Sequence, residues 1–132
     1  MIHLLDTNIC FYFLNRYSDR IVARFKKLSP SEIKLSAVTV AELFFGAEKS
    51  KVKRKNFQVV ESFVSAFETI PFDEKCCKIY AKIRSSLERA GNPIGPMDLL
   101  IASISLANDF ILVTNNTKEF NRIKKLKLEN WL

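Results

Sequence analysis

The chain has 132 residues, room for one domain and too few for two ordinary ones. It is 48% hydrophobic and 27% charged, with three glycines and four prolines, which excludes a disordered tail, a collagen-like chain and a low-complexity one. A formal net charge of +7 and a pI near 9.5 favour a polyanionic partner, either nucleic acid or an acidic protein.

Apolar runs and amphipathic stretches alternate along the whole chain. Ile2–Leu5 predicts a short strand ending at Asp6-Thr7-Asn8, and Ile9–Leu14 a helix. Ser18-Asp19 caps a helix through Lys27, Ile33–Val38 reads as a second strand, and Thr39 opens a helix to about Lys49. The basic stretch Lys51–Lys55 leads into a helix ending near Phe67, and Thr69–Phe72 is the third strand candidate. Asp73 caps a helix whose apolar positions Cys76, Ile79, Ile83 and Leu87 keep helical spacing, with Gly91 as the left-handed residue that closes it. Asn92–Pro96 is a loop, Met97–Asn108 a helix with Pro96 at its start, and Ile111–Thr114 a fourth strand. A short helix around Lys118–Phe120 and a last strand near Lys127–Trp131 complete the series. Strands separated by helices need crossover connections, so the expected fold is α/β, a mainly parallel sheet covered on both faces. Ligand sites in such sheets lie beyond the carboxyl ends of the strands, where Asp6 and Asn115-Asn116 fall.

The rare residues prune the chemistry. His3 is the one histidine, so a ribonuclease mechanism needing two imidazoles is impossible within one chain, and its place in an apolar run reads as a strand residue. Cys10, Cys76 and Cys77 contain no CxxC pair and predict reduced thiols rather than a zinc site. Leu99–Ala107, the best apolar stretch, is too short for a membrane span. Asp6 stands six residues in, with no basic leader before it. The expectation is a soluble, cytoplasmic protein.

Three acids stand out, and each has a bland explanation. Asp6 suits an Asx-turn or helix cap, Glu42 sits three residues after Thr39 as in a capping box, and Asp98 lies in a first helical turn. In the expected sheet, however, all three meet on one rim. Clustered carboxylates repel unless a cation neutralises them, and without histidine or thiolate nearby the site suits Mg²⁺, or Mn²⁺, held by Asp6 and Asp98. A basic chain with an acidic metal pocket is the arrangement expected of a phosphodiesterase.

Four segments carry a resemblance. Leu4-Leu5-Asp6-Thr7-Asn8, Val40-Ala41-Glu42-Leu43 with Gly46-Ala47, Gly95-Pro96-Met97-Asp98-Leu99-Leu100-Ile101-Ala102 and Leu112-Val113-Thr114-Asn115-Asn116 resemble, in order, the successive motifs of a PIN domain. The likeness runs on to Glu129-Asn130-Trp131, and is greatest to the VapC-type toxins of bacterial toxin–antitoxin pairs. It implies a three-layer α/β/α PIN-like domain over residues 1–132 and a Mg²⁺-dependent endoribonuclease acting on tRNA or ribosomal RNA. It further implies inhibition by a VapB-type antitoxin and a homodimer or larger assembly. The family's catalytic acids carry over onto Asp6, Glu42 and Asp98, with Thr7, Asn8 and Thr114 as supporting neighbours. The departure is at the fourth acid: Asn115 and Asn116 follow Thr114, so Asn116 offers a neutral oxygen and Glu119 a carboxylate from the next turn.

Lys49, Lys51, Lys53, Arg54 and Lys55 form the densest positive run and are read as an RNA-backbone track; Lys124, Lys125 and Lys127 form a second. Phe44 and Phe45 are adjacent on a helix and cannot share a face, so one of them is expected near the surface, where a partner helix could lie. A haloacid-dehalogenase-like phosphatase would need an Asp where Asn8 stands, and a receiver domain paired acids where Thr7 stands. The non-catalytic rival is a basic nucleic-acid-binding module.

Overall fold

The computed structural model describes residues 1–132. The elements are β1 (His3–Leu5), α1 (Thr7–Leu14), α2 (Asp19–Lys27), β2 (Ile33–Ser36), α3 (Ala37–Glu48), α4 (Lys53–Ser65), β3 (Glu68–Ile70), α5 (Glu74–Arg89), α6 (Pro96–Ala107), β4 (Ile111–Val113), α7 (Thr117–Phe120) and β5 (Lys127–Glu129), with a 3₁₀ turn at Pro30–Glu32. The strands form one sheet in the order β3-β2-β1-β4-β5, and every neighbouring pair is parallel.

Side-chain alternation along the strands divides the core in two. Leu5, Ile33, Leu35 and Val113 pack with Ile9, Ile21, Phe25, Leu43 and Phe63 of α1 to α4 on one face. Leu4, Leu112 and Ile70 pack with Cys76, Leu87, Ile101, Ile104 and Phe120 of α5 to α7 on the other. Each fully buried leucine or isoleucine contributes about 1.5–3 kcal/mol, so the alternation holds the register of three-residue strands that their own hydrogen bonds would not. The three-layer α/β/α arrangement follows.

Several boundaries differ from the sequence reading, each for a local reason. Ser36 is the N-cap of α3, its Oγ accepting the Thr39 N–H at 3.0 Å, so Ala37 and Val38 are helical rather than strand. Glu42 is therefore the sixth helical residue, not the third, and the Thr39–Glu42 capping box does not form. Asp6 accepts the Thr7 N–H, so α1 starts at Thr7 instead of Ile9. Lys53, Arg54 and Lys55 are inside the first turn of α4 rather than ahead of it. β3 starts earlier and ends at Ile70, and β5 stops at Glu129, leaving Trp131 to fold back as core against His3 and Phe25. His3 is a buried strand residue, and all three cysteines are free thiols.

Chain order reverses beside β1: β2 and β3 lie on one side, β4 and β5 on the other. The carboxyl ends of β1 and β4 thus bound the crevice where such sheets bind ligands. Gly91 closes α5 as expected, at φ +70°, with Asn92 N–H donating to the Leu87 carbonyl at 2.9 Å and Gly91 N–H to Glu88 at 3.1 Å. A Cβ there would meet nothing within 4 Å, so the cost of Gly91→Ala is backbone strain alone. We expect urea unfolding to show a loss of about 1–2 kcal/mol, with Gly91→Asn losing less; an unchanged midpoint would refute this account.

Candidate active site

Asp6 is the innermost acid, 4% exposed at the carboxyl end of β1. Its Oδ1 accepts the Thr7 N–H and its Oδ2 the Thr114 hydroxyl, both at 2.7 Å. Burial raises its pKa more than these two bonds lower it. Thr114, just past β4, is itself fixed: its N–H donates to the Glu129 carbonyl at 2.9 Å, and its Oγ1 accepts the Asn116 N–H at 3.0 Å.

Glu42 reaches the same rim from α3, and its Oε1 accepts the Thr7 hydroxyl at 2.7 Å. Thr7 Oγ1 also lies 3.1 Å from Thr39 Oγ1, which accepts the Ser36 hydroxyl at 3.1 Å. A hydroxyl has one proton to give. Since Thr7 gives its proton to Glu42, Thr39 must donate to Thr7, and the relay Ser36 to Thr39 to Thr7 to Glu42 runs in one direction. Thr7 thereby holds two acids at once, Asp6 by its backbone and Glu42 by its side chain.

Asp98 stands in the first turn of α6, and its carboxyl pKa is pushed up to about 6. Burial is the largest cause, followed by the negative charges of Asp6, Glu119 and Glu42. The four carboxylates therefore lie close enough to act on one another's charge. Glu119, on α7, accepts the Gly95 N–H at 2.9 Å and the Asn116 Nδ2 at 3.0 Å, and these bonds lower its pKa.

Asn116 departs from the expectation of a neutral oxygen donor. Its Nδ2 faces the acids, 3.0 Å from Glu119 and 3.5 Å from Asp98. An amide oxygen turned toward two carboxylates would repel them, so the amide acts as a donor bridge. Asn8 is exposed on α1 and makes no side-chain hydrogen bond. Of the basic run, Lys49 lies over the Phe45 ring at 5.2 Å and Lys53 pairs with Glu48 at 3.4 Å; Lys51, Arg54 and Lys55 are exposed without an ion pair. The run begins seven residues past Glu42, about 10 Å along the helix axis, so it flanks the acids rather than joining them. Sequence reasoning passed over Ser36, the Thr39 relay and the Gly95 amide. A serine three residues before a threonine at a helix start was the available signal for the first two.

The donor set fits a hard divalent cation. Asp6 and Asp98 supply carboxylate oxygens that repel each other when bare, and the lone imidazole is turned toward Glu129, 3.5 Å away. No three acidic, histidine or cysteine side chains close around one point. A divalent ion held by so open a set would keep several of its waters.

Comparison with known proteins gives the class. A family model described as PIN domain matches residues 3–126, and the chain belongs to the PIN-domain family. It is 45% identical over 132 residues to Ribonuclease VapC2 of Rickettsia felis (99% of this chain, 98% of that one) and 38% identical over 128 residues to the tRNA(fMet)-specific endonuclease VapC of Shigella flexneri (97% and 96%). A crystal structure of VapBC2 from Rickettsia felis bound to a promoter DNA fragment aligns with a TM-score of 0.93 at 43% identity, covering 100% of both chains. DNA-bound VapBC from Salmonella typhimurium aligns at 0.94 and 36%, covering 100% and 99%. Within the PIN family it groups with the VapC ribonucleases.

The raised Asp98 pKa sets a pH dependence. The folded state binds this proton more tightly than the unfolded chain, so between 3.8 and about 6 metal-free stability falls as pH rises. Asp98→Asn should therefore stabilise the chelator-treated protein by about 1–2 kcal/mol above pH 7, after allowance for half-exposure, and by little near pH 4. Urea titrations at the two pH values check this, and an equal effect at both would contradict it.

Proposed function

We propose that the chain is an endoribonuclease toxin, acting on RNA of the tRNA or ribosomal class through Asp6, Glu42 and Asp98, and restrained by a VapB-type antitoxin. The observation that carries the reading is the carboxylate field itself. Four acids held on one rim by Thr7, Thr114, Asn116 and the Gly95 amide are a costly arrangement for a structural purpose. Against a polyanion they would also be repulsive, which disfavours a purely binding role and calls for a cation. The relatives named ribonuclease and tRNA endonuclease, and the toxin–antitoxin complexes among the solved neighbours, support the same reading.

Mg²⁺ is the proposed cofactor, Mn²⁺ its substitute, with Asp6 and Asp98 as its protein ligands. When bound, such an ion supplies Lewis acidity at phosphorus and lowers the pKa of water. The protein's part is to aim oxygen lone pairs and exclude competing donors. Asp6 keeps its free lone pairs toward the crevice because its other two are bound by Thr7 and Thr114. Glu42, fixed at one oxygen by Thr7, has the other free to accept a proton from attacking water. Glu119 and Asn116 form the outer wall, and Thr7, Thr114 and Asn116 are positioning groups. Asn8 is assigned a substrate-side role through its exposure alone.

The basic tract is proposed as the RNA-backbone track. Lys53, Arg54 and Lys55 occupy the first turn of α4, where cations oppose the helix dipole and no side chain caps the free N–H groups. Phosphate would satisfy both. The antitoxin is placed on the neighbouring apolar surface. Phe45 is 64% exposed while Phe44 packs on Phe57, so Phe45 is the surface member of the pair, with Val52 and Val59 also exposed. A homodimer within a larger toxin–antitoxin assembly, a single domain over residues 1–132 and a cytoplasmic location complete the proposal. No helix is long and apolar enough to cross a membrane.

The purified chain should cleave RNA only with divalent cation and leave 5′-phosphate and 3′-hydroxyl ends, since water rather than a 2′-hydroxyl attacks. Asp6→Asn and Asp98→Asn should abolish cleavage with the fold intact by circular dichroism. Glu42→Gln leaves the helix cap untouched, because Ser36 holds it, and should cost about 10²-fold or more in rate. Cyclic phosphate ends, or an active Asp6→Asn enzyme, would sink the assignment.

For the basic tract the readout is salt. Replacing Lys51, Arg54 and Lys55 together by alanine should weaken RNA binding and flatten the log–log salt slope by about 0.7 per lost contact. An unaltered slope would remove the tract from the RNA path.

A further inference from the structure

Behind the loop that precedes α6 lies a cavity of about 240 Å³ that none of the groups above uses. Clefts that bury drug-sized ligands run to about 300–1,000 Å³, so this one has room for a single planar ring system. One wall is a face of α5, where Tyr80, Arg84 and Glu88 follow at intervals of four. The opposite wall is Pro93, Ile94 and Pro96.

Hydrogen bonds link the groups on both walls. Arg84 donates from Nε to Glu88 Oε2 and from Nη1 to the Tyr80 hydroxyl, each at 2.8 Å, and its guanidinium sits 5.9 Å from the Tyr80 ring centroid. Tyr80 is braced edge-on by Phe72 at 6.2 Å. The loop wall is tied down by Arg122, which donates to the Pro93 carbonyl at 3.0 Å, and by the Gly95 amide, which donates to Glu119. Gly95 lies between the lining residues Ile94 and Pro96. A Cβ on it would stand 3.9 Å from Asp98 Oδ2 and 4.0 Å from Glu119 Oε1. The cavity and the acids are thus two sides of one loop.

We propose that this cavity is a guanine-binding subsite that reads one base of the RNA beside the cut. This rests on the ribonuclease reading for its occupant, and the donor pattern selects the base. Arg84 has five N–H groups, two of them used, so donors remain for a carbonyl oxygen. Glu88 accepts only, and with Oε1 free and one lone pair left on Oε2 it can take two N–H donors side by side. Guanine alone among the bases sets an acceptor, O6, beside two donors in a row, N1–H and the exocyclic amino group. Uracil offers the carboxylate one N–H, and adenine reverses the order. Unstacked RNA bases are held by stacking on aromatic rings and guanidinium planes while their edges are hydrogen-bonded; Tyr80, Arg84 and the proline walls supply the planes.

The test has two arms. In the first, the full chain with Mg²⁺ cleaves a randomised RNA pool and the ends are sequenced. Guanine should be enriched about tenfold to a hundredfold at one fixed offset from the cut, and the enrichment should disappear within the cleaved pool of Glu88→Gln. Arg84 and Glu88 are an exposed pair whose loss leaves the core untouched, so the variant folds. In the second arm, guanosine 5′-monophosphate is titrated into the metal-free chain and the NMR signals of Tyr80, Ile94 and Leu99 are followed. They should shift with guanosine monophosphate, less with the other three nucleotides, and not in Glu88→Gln. Cleavage without guanine preference, together with no shift, would overturn the subsite and leave the ribonuclease standing. Shifts without any RNA cleavage would do the reverse. Equal shifts with all four nucleotides, or shifts that follow protein concentration, would overturn it in favour of an unselective crevice or a second copy of the chain.

Discussion

Like charges held together against their own repulsion are the constraint on which this molecule is organised. Asp6, Glu42, Asp98 and Glu119 come from four different elements, and the sheet order brings them to one crevice only because it reverses between β1 and β4. Left bare, such a cluster would relax apart or take up protons, as the elevated Asp98 pKa records. Asp6 and Glu119 are instead anchored by donors that cost the fold nothing extra. Thr7 N–H and Gly95 N–H are backbone groups already free at helix starts, and Thr114 sits where β4 has just ended. The backbone supplies part of the neutralisation, and a cation would supply the rest.

The same economy explains the polar core. Two of the buried hydroxyls, Ser103 and Ser105, donate to the Leu99 and Phe110 carbonyls away from the acids; the other four are Ser36, Thr39, Thr7 and Thr114. Unpaired, each would cost about 1–3 kcal/mol. Paired in sequence, they convert that liability into a rigid mount that ends on Glu42 and Asp6. Rigidity matters here because a carboxylate misplaced by an ångström loses much of its rate advantage.

Much of this was legible in the residues. The alternation of apolar runs with amphipathic helices set the parallel sheet, and the positions of Asp6 at a strand end and Asp98 at a helix start set the rim, which Glu42 joins from the second turn of α3. Boundaries failed where capping chemistry competed with apolar pattern: Ala37 and Val38 look like strand by composition, but the Ser36 side chain starts the helix before them. Trp131 reads as a strand residue and is instead a core plug beyond the strand, its indole buried, tilted against His3 and edge-on to Phe25. The hydroxyl relay was out of reach for a different reason. Thr7 and Thr39 are 32 residues apart and meet only through the packing of α1 on α3, for which Gly46 opens space against Phe11.

Asn116 is where these threads meet. A fifth carboxylate at that position would add charge to a field that already raises Asp98, and would delete the Nδ2 donor that binds Glu119 at 3.0 Å and approaches Asp98 at 3.5 Å. Glu119, released, would no longer hold the Gly95 amide in place, and Gly95 is the partition between the acids and the cavity lined by Tyr80 and Arg84. The amide therefore does by hydrogen bonding what an acid there could do only with a second cation. It keeps the outer wall closed, and it ties the acids to the loop that lines the neighbouring cavity.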